Sequence, residues 1–292
     1  MTAIEATWSP TDEIPRRRPA PAIRRRRAVT FAINHTLALF LAAFFLTPFV
    51  FIVATSLMSA RQALSSDVWP HPFVWSNFSQ VSDLFPILRY TLNTVKYAAL
   101  STIGVVVSSV PVAYALSRIQ WRGRQVVFVL ILTTMMLPAQ VTSVPLYVIF
   151  VKLHWIGSLK PLIIPSFFGD AFSIFLLRQF FMTIPQELSD AGRVEGANDF
   201  QILWRVIIPL AKPAIAAIAL FQFLYAWNDF FDPLIYTGNS NQTTFAVALS
   251  QLSNTVEVHY GVLWNVQMAA SLLFLLAQRV FIEGVTLTGV KG

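Results

Sequence analysis

Long apolar runs separated by short polar connections dominate the hydrophobic pattern of the chain. Most of these runs approach or exceed the roughly 20 residues that a helix needs to cross the hydrocarbon core of a bilayer. Several runs contain proline, which membrane helices tolerate because neighbouring helices satisfy the freed carbonyl groups. The pattern predicts an all-α, polytopic membrane protein with six transmembrane helices. The predicted spans are Phe31–Leu57, Tyr90–Ser117, Val126–Val151, Leu162–Phe181, Pro209–Phe231 and Tyr260–Ile282.

The last predicted span is poorer in apolar residues than the others. Its continuous apolar part, Met268–Ala277, reaches only about half of the roughly 20 residues needed. The span must therefore recruit Val262–Val266 at one end and Val280–Ile282 at the other, with the Arg279 side chain extending to the membrane interface. The sequence leaves open whether this shortness is native or results from a deletion.

Composition excludes an ordinary soluble enzyme domain. The 292 residues are 55% hydrophobic and 12% charged, whereas an average soluble domain is about 25% charged. The absence of cysteine excludes disulfides, thiolate metal sites and a cysteine nucleophile. A net charge of +7 would suggest nucleic acid in a soluble protein, but here the positions of the charges matter more, and we expect no nucleic-acid partner.

Basic residues are concentrated on one side of the predicted spans. Most of the 21 lysines and arginines lie in the N-terminal tail, the loop after the second span, the segment between the fourth and fifth spans, and the C-terminal end. The positive-inside rule then predicts that both termini lie in the cytoplasm, with the spans in a bacterial inner membrane. The opposite side holds Arg61, Arg89, Lys96, Lys152 and Lys160.

This topology divides the chain into two parts. Residues 1–28 form a basic cytoplasmic tail rich in proline and arginine, which we expect to be disordered and close to anionic membrane lipid. Residues 29–292 form the transmembrane domain. A secretory signal is the alternative for the N-terminus, but the apolar run is longer than the roughly 7–15 residues of a signal core, and no small-residue cleavage site follows it.

One long connection, residues 181–212, is amphipathic and falls on the cytoplasmic side. Thr183 is a candidate N-cap for a first helix, followed by proline in the first turn. Gly196 is a natural end for that helix. Asn198, with Gln201 three positions later, has the spacing of a capping box for a second helix that continues into the fifth span. These signals predict that the connection folds as a helix, a turn and a second helix at the membrane surface.

Small residues mark the first of these two helices. Ile184, Leu188 and Ala191 form one predicted apolar stripe. Ala191 and Gly192 are adjacent, and they leave the backbone open to close approach by another surface. An isolated Ala-Gly pair also occurs in ordinary helices near their ends, so the pair by itself leaves both interpretations open.

The sequence from Pro185 to Pro213 resembles the EAA loop of ABC importer permeases, and it is most similar to the carbohydrate-uptake branch, on the side of the maltose permease G subunit. The family pattern is roughly P-x-E-L-x-E-A-A-x-x-D-G-A followed by I-x-L-P-L-x-x-P. Asp190 replaces the usual Glu, Gly192 the second Ala, and Glu195 the usual Asp. The acids keep their charge, whereas glycine lowers helix propensity by about 1 kcal/mol relative to alanine.

The resemblance covers the chain from about residue 30 to its end. Ala226–Phe230 resembles the W-N-D/E segment of the fifth span of the family. Met135–Pro138 is similar to part of its third span, and Gly284–Gly292 is similar to its G-L-T-x-G-A-V-K-G ending. The pieces are specific together and weak singly.

This resemblance implies a MetI-like permease fold and a function. The chain would be one of two permease subunits of an ATP-driven importer that moves a sugar or sugar-like solute. Two ATP-binding subunits would bind its cytoplasmic face, and a separate extracytoplasmic solute-binding protein would deliver the solute. The residues implied to couple the chain to an ATPase are Glu187, Asp190, Ala191, Gly192, Glu195 and Gly196.

Catalytic chemistry finds no support in the sequence. Gly284 and Gly289 have the glycine spacing of a P-loop, but Val290 follows where lysine is needed. The four histidines are scattered, and neither a zinc motif nor a nucleophile elbow occurs. We therefore expect no catalytic residue, cofactor or metal on this chain, and we expect ATP hydrolysis on a partner.

An ion-coupled secondary transporter or a channel acting without an ATPase is the alternative class. Such transporters usually carry paired ionisable residues inside the membrane, and Asp170 is the acid near the middle of a predicted span. It either faces an aqueous solute path or is solvated where a broken helix meets the outer surface. Further candidates for the path, each with an alternative structural role, are Asn228, Asp229 and Asn93. The sequence does not identify the solute.

Overall fold

The computed structural model describes residues 21–84, 86–238, 240–260 and 263–290. Every regular element within these ranges is a helix, which confirms the all-α prediction. The helices are α1 (Pro21–Ser56), α2 (Ser76–Leu84), α3 (Ile87–Ser117), α4 (Arg124–Thr134), α5 (Ala139–Lys152), α6 (Lys160–Ile163), α7 (Ala171–Thr183), α8 (Gln186–Val194), α9 (Asp199–Ile202), α10 (Ile208–Asn228), α11 (Phe231–Thr237), α12 (Phe245–Tyr260) and α13 (Trp264–Val290).

The chain divides into two compact units, residues 1–51 and 52–292. Most of α1 belongs to the first unit. Its apolar part, Val29–Ser56, has a mean hydropathy of 2.6 and is long enough to cross a membrane. Most large apolar side chains of this helix are exposed, as expected for a helix that faces lipid. The helix begins at Pro21, inside the predicted basic tail, and residues 1–20 of that tail lie outside the described residues.

Three long helical stretches form the core of the second unit. They are α3, the stretch Lys160–Thr183 that ends with α7, and the stretch Asp199–Asn228 that ends with α10. Each is long and apolar enough to cross a membrane, and α3 packs against both of the others. The buried side chains that join them include Ala113, Leu177, Phe181, Ile207, Ala211 and Ile218.

The third predicted span, Val126–Val151, is wrong as a single helix. The chain is interrupted at Met135–Pro138, between α4 and α5. Pro138 explains the interruption, because proline lacks an N–H donor and disfavours the helical conformation of the residue before it. Both pieces are apolar and shorter than a membrane span.

The fourth predicted span, Leu162–Phe181, also contains a break. Gly169 has a φ of +101°, a conformation that favours glycine. Asp170 then caps α7, because its carboxylate accepts a hydrogen bond from the backbone N–H of Ser173 at 2.7 Å. Before the break, Gly104 of α3 lies against Phe167, whose ring would be 2.8 Å from a Cβ atom at that glycine. A small residue is therefore required there.

The fifth predicted span begins earlier than its apolar run indicates. The helix α9, a π-helical segment at Leu203–Ile207 and α10 follow one another without a loop. In a regular α-helix the ring of Pro209 would clash with the carbonyl of Arg205, and the wider π turn directly precedes this proline. The connection between α7 and α10 therefore continues into the fifth span as one helix.

The last predicted span, Tyr260–Ile282, is wrong at its start. Tyr260 is the last residue of α12, and α13 begins at Trp264. The prediction placed Tyr260 in the span because the apolar pattern alone does not separate the two helices. The length of α13 is 27 residues, or about 40 Å at 1.5 Å per residue. The helix is therefore long enough to cross a bilayer despite the short apolar run that it contains.

Candidate functional site

The connection between α7 and α10 folds as a compact helical hairpin, α8 and α9, which we call the coupling hairpin (residues 186–202). Gly196 ends α8 with a φ of +85°. The N–H of Gly196 bonds to the carbonyl of Arg193 at 3.0 Å, and the N–H of Ala197 bonds to the carbonyl of Gly192 at 2.9 Å. This pair of bonds is the Schellman motif, so the predicted helix end at Gly196 is confirmed.

The start of the second helix is also as predicted. The side chain of Asn198 accepts a bond from the N–H of Gln201 at 2.9 Å, and the side chain of Gln201 accepts one from the N–H of Asn198 at 3.0 Å. This reciprocal pair is a capping box, which satisfies two backbone donors that the helix itself leaves free. The turn of the hairpin is therefore held by backbone and amide hydrogen bonds on both sides.

The predicted start of the first helix is wrong. Thr183 is the last residue of α7, and its hydroxyl donates to the carbonyl of Phe180 at 2.7 Å. The helix α8 begins at Gln186, after Pro185, without a side-chain cap. Threonine oxygen bonds readily to carbonyls one turn back in a helix, and here that local contact prevails over capping the next helix.

The predicted apolar stripe is wrong as well. Ile184 is buried ahead of α8, whereas Leu188 is 43% exposed. Ser189 and Gly192 face the rest of the chain, and a Cβ atom at Gly192 would lie 3.3 Å from a side-chain carbon of Ile202. Gly192 therefore allows α9 to pack on α8, while its neighbour Ala191 is exposed.

The acids of the coupling hairpin lie on its surface. Glu187 and Glu195 are exposed. Asp190 accepts a hydrogen bond from Arg193 at 2.9 Å, and Arg193 also donates to Asp199 of α9 at 3.1 Å. The hydrogen bond to Asp199 raises the pKa of Arg193. Exposed ion pairs are worth about 0–1 kcal/mol, so this bridge orients the two helices more than it stabilises them.

Arg118 is a functional candidate that the sequence pattern missed. It follows α3 directly, is 4% exposed, and reaches the chain between α7 and α8. Its guanidinium donates to the carbonyls of Phe181 and Ile184 and to the side-chain oxygen of Gln186, the last at 2.8 Å. Burial lowers the pKa of Arg118. In the sequence it is one of several basic residues in a loop predicted to be cytoplasmic, so no pattern distinguishes it.

Arg178 makes the matching contact in the opposite direction. It lies on α7, is 8% exposed, and donates from Nε to the carbonyl of Leu116 in the last turn of α3 at 3.1 Å. Its guanidinium also lies 3.9 Å from the centre of the Phe128 ring. Arg118, which follows α3, therefore donates to carbonyls at the end of α7, and Arg178 of α7 donates to a carbonyl in the last turn of α3. Each arginine places its positive charge beside carbonyls at a helix end, which carry partial negative charge.

A cavity of about 680 Å³ lies between the helices of the second unit. Residues from α3, α5, α6, α7, α10 and α11 and from the turn after α6 line it, and they include both aromatic rings and oxygen-bearing groups. Among the described residues that line it there is no lysine, arginine or histidine. Its polar and aromatic lining includes Tyr97, Asp170, Gln222, Tyr225, Asp232 and Tyr236.

Of the four residues expected along a solute path, only Asp170 lines this cavity. Asp229 lies behind the wall, where it accepts a hydrogen bond from Tyr97 at 2.8 Å. Asn93 donates to the carbonyls of Asn241 and Thr243, both at 3.0 Å, and so joins α3 to the loop before α12. The sequence did not single out Asp232, which does line the cavity.

Asn228 is exposed and donates to the carbonyl of Leu224 in its own helix at 2.8 Å. Its side chain thus has a local helical role in this structure. Within the described residues, no group of three or more histidine and acidic side chains is arranged to hold a metal ion.

Comparison with known proteins gives concordant matches. Residues 106–282 match the family described as binding-protein-dependent transport system inner membrane component. The arabinooligosaccharides transport system permease protein AraQ of Bacillus subtilis is 32% identical over 237 residues, which are 80% of this chain and 84% of that protein. The sn-glycerol-3-phosphate transport system permease protein UgpE of Yersinia pestis is 31% identical over 74% of this chain and 80% of that protein.

A solved structure is similar over most of the chain. It is a chain of a bacterial ABC transporter involved in the import of the acidic polysaccharide alginate. The TM-score is 0.75 with 26% sequence identity, and the match covers 92% of this chain and 98% of that chain.

An apolar helical bundle with an internal polar cavity and a charged hairpin at one end defines a membrane transport subunit. The chain belongs to the family of inner membrane components of binding-protein-dependent transport systems. It is the permease subunit of an ABC importer, a multi-pass inner membrane protein and not an enzyme. Such a permease works together with ATP-hydrolysing and solute-binding subunits.

Proposed function

We propose that this chain is one of two permease subunits that move an uncharged sugar or sugar-like solute inward, with its coupling hairpin docked on one of two ATPase subunits. A separate extracytoplasmic protein delivers the solute, and both termini of the chain lie in the cytoplasm. The observation that carries the proposal is the coupling hairpin itself. Its turn is closed by a Schellman motif and a capping box, and its second helix continues into α10 without a loop.

The outer surface of α8 has the composition of a docking surface. Val194 is 89% exposed and Leu188 is 43% exposed, and two exposed acids accompany them, Glu187 in the first turn of α8 and Glu195 directly after its last residue. Exposed apolar side chains surrounded by charges are typical of protein interaction sites. The partner of such a surface is a cleft with an apolar floor and basic residues at its rim. Ala191, also exposed, leaves room for close approach.

Continuity between the hairpin and the membrane supplies the mechanical link. Closure of the two ATPase subunits on ATP displaces a docked α8, and a rigid hairpin transfers that displacement to α10 and α3. The helix bundle is the element with two states, and ATP-driven closure is the event that favours one of them.

The lining of the cavity supports an uncharged solute. Tyrosine rings offer flat apolar faces together with hydroxyl groups, which suits the alternating apolar and polar surface of a sugar. The carboxylates of Asp170 and Asp232 accept hydrogen bonds from hydroxyl groups and repel anions. AraQ and UgpE are named for arabinooligosaccharides and sn-glycerol-3-phosphate respectively, and this lining favours the first kind of solute over the second.

Two matched substitutions test the docking of the hairpin. Val194→Arg adds a charge to the outer face of α8, and we expect the ATPase subunit to be lost on affinity purification of the permease in mild detergent. Val68→Arg makes the same change at a residue 74% exposed between α1 and α2, on the predicted outer side, and the ATPase should co-purify normally.

Co-purification of the ATPase with the Val194→Arg variant at the wild-type level would refute the docking of α8. Solute uptake by the chain in vesicles without any ATPase, abolished by an uncoupler, would instead establish the ion-coupled alternative.

A further inference from the structure

The cytoplasmic end of α3 holds the coupling hairpin at both of its ends. At the start of the hairpin, Arg118 donates to the side chain of Gln186, the first residue of α8, and to the carbonyls that precede it. At the other end, the Tyr114 hydroxyl donates to Asp199, the first residue of α9, at 3.2 Å. Tyr114 and Arg118 are four positions apart, so they share one face of the chain where α3 ends.

Asp199 extends the second contact to the rest of the hairpin. The same carboxylate oxygen that accepts from Tyr114 also accepts from Arg193 near the end of α8. Arg193 in turn binds Asp190. A displacement of α8 therefore reaches α3 through hydrogen bonds at two points, in addition to its covalent path through α9 into α10.

The hydrogen-bond partners of Arg118 are unusual for an arginine in a loop. Its guanidinium is buried, and among the residues that the structure describes it forms no ion pair. Its partners are the carbonyls of Phe181, Ile184 and Pro185 together with the amide oxygen of Gln186. The carbonyls of Phe181 and Ile184 lie at the end of α7, where helix carbonyls carry partial negative charge, and a planar fork of N–H donors reaches both at once. Pro185 and Gln186 lie at the start of α8, so the same side chain joins the two helices.

We propose that Arg118 is a positioning residue that fixes the coupling hairpin to α3, so that α3 and α8 move as one body when the ATPase subunits close. The inference rests on the proposed function, because it requires a docked ATPase. A merely structural role for Arg118 would stabilise the fold without governing the relative movement of the two helices.

The experiment measures the distance between α3 and the coupling hairpin, which carries α8, in the complete importer. The chain contains no cysteine, so spin labels attach only where cysteines are introduced, here at Gln120, beyond the end of α3, and at Phe200 of α9, outside the proposed docking face of α8. Both residues are exposed. Distances are recorded without nucleotide and after trapping with ATP and vanadate, in an otherwise unchanged permease and in Arg118→Gln, Arg118→Lys and Arg122→Gln variants.

Without further substitution, we expect the same distance with and without trapped nucleotide. Arg118→Gln should shift or broaden the distribution by several Å in the trapped state only, and Arg118→Lys should show a smaller effect, because an ammonium group does not reproduce the fork. The control Arg122→Gln removes an exposed arginine four positions away and should leave the distances unchanged. ATP hydrolysis by the Arg118→Gln complex should continue.

Unchanged trapped-state distances in Arg118→Gln would overturn the proposal, even if the thermal stability of the complex fell. If Arg118→Gln does not assemble, Arg118→Lys decides: distances identical to those of the unsubstituted arginine would overturn it too. Failure of the unsubstituted permease to assemble with an ATPase would refute the proposed function instead, so the two failures are distinguishable.

Discussion

The coupling hairpin and the cavity differ in how their polar groups are used. In the hairpin, side chains such as Asn198, Gln201 and Asp199 are bonded to other groups of the chain at 2.9–3.2 Å. In the cavity, polar groups such as those of Tyr225 and Asp232 line an open volume of about 680 Å³. The first region directs its polar groups to other parts of the chain, and the second presents polar groups to open space.

Under the proposed function, this contrast separates solute specificity from the transmission of movement. The hairpin is defined by short-range backbone geometry, so its shape is independent of what is carried. The cavity is lined by residues of six helices between α3 and α11, none of them part of the hairpin, so its chemistry can change without altering the hairpin. Substitutions in the two regions should therefore affect different measurements.

The largest expected effect is that of Gly192→Leu. A Cβ atom there already approaches Ile202 to 3.3 Å, so a leucine overpacks the contact between α8 and α9 at a cost of about 1–3 kcal/mol. Hydrogen exchange of residues 186–202 should accelerate. The control Ala191→Leu makes a larger side chain at an exposed neighbour and should leave exchange unchanged. Equal acceleration in both variants would contradict the inward orientation of Gly192.

The next effect concerns the cavity. Asp232→Asn removes one carboxylate from the lining. We therefore expect the ratio of uptake of an oligosaccharide that contains a uronic acid to uptake of a neutral oligosaccharide of the same length to rise by about tenfold, which corresponds to about 1.4 kcal/mol. Competition uptake in proteoliposomes measures the ratio. Asp67→Asn is the control, because Asp67 is exposed between α1 and α2 and is not among the residues that line the cavity. A ratio that stays constant in Asp232→Asn would show that the cavity does not select by charge.

A smaller effect is expected for Gly196→Ala. Its φ of +85° is a conformation that costs a residue with a side chain about 1 kcal/mol. The hairpin should open more often, and uptake should decrease a few-fold. Gly157→Ala places the same strain, at a φ of +80°, in a loop on the predicted outer side, with open space around both glycines. If Gly157→Ala reduced uptake as strongly, the effect of Gly196→Ala would be one of general strain.

The smallest effect is that of Asp190→Asn. Its side chain is 59% exposed and Arg193 keeps Asp199 as a partner, so the free energy of unfolding should change by less than about 0.5 kcal/mol. Thermal denaturation of the purified permease at low and high salt measures this change. A loss above about 1 kcal/mol would mean that this ion pair contributes more to stability than an exposed pair normally does.

The sequence predicted the parts of the fold that depend on local interactions. The helix end at Gly196 and the capping box at Asn198 were predicted correctly, because each depends on residues within five positions of one another. The break at Pro138 was missed, since apolar length alone does not show whether a proline kinks a membrane helix or ends it.

Contacts between residues that are distant in sequence were not predicted. Arg118 binds residues more than sixty positions away, and its burial depends on how α3 packs against α7. Gly192 was expected to face a partner, but its neighbour is Ile202, because only the packed hairpin determines which side of a short helix is buried. The membership of the cavity wall is likewise a tertiary property, so Asp170 was predicted and Asp232 was not.

The unbroken path from α9 through the π turn into α10 also constrains how this region can vary. Each residue of an α-helix turns the chain by about 100°, so inserting or deleting one residue between Ile202 and Ile208 would rotate α10 relative to the coupling hairpin. Ordinary loops absorb changes in length, but here sequence length itself sets the angular register between the hairpin and α10.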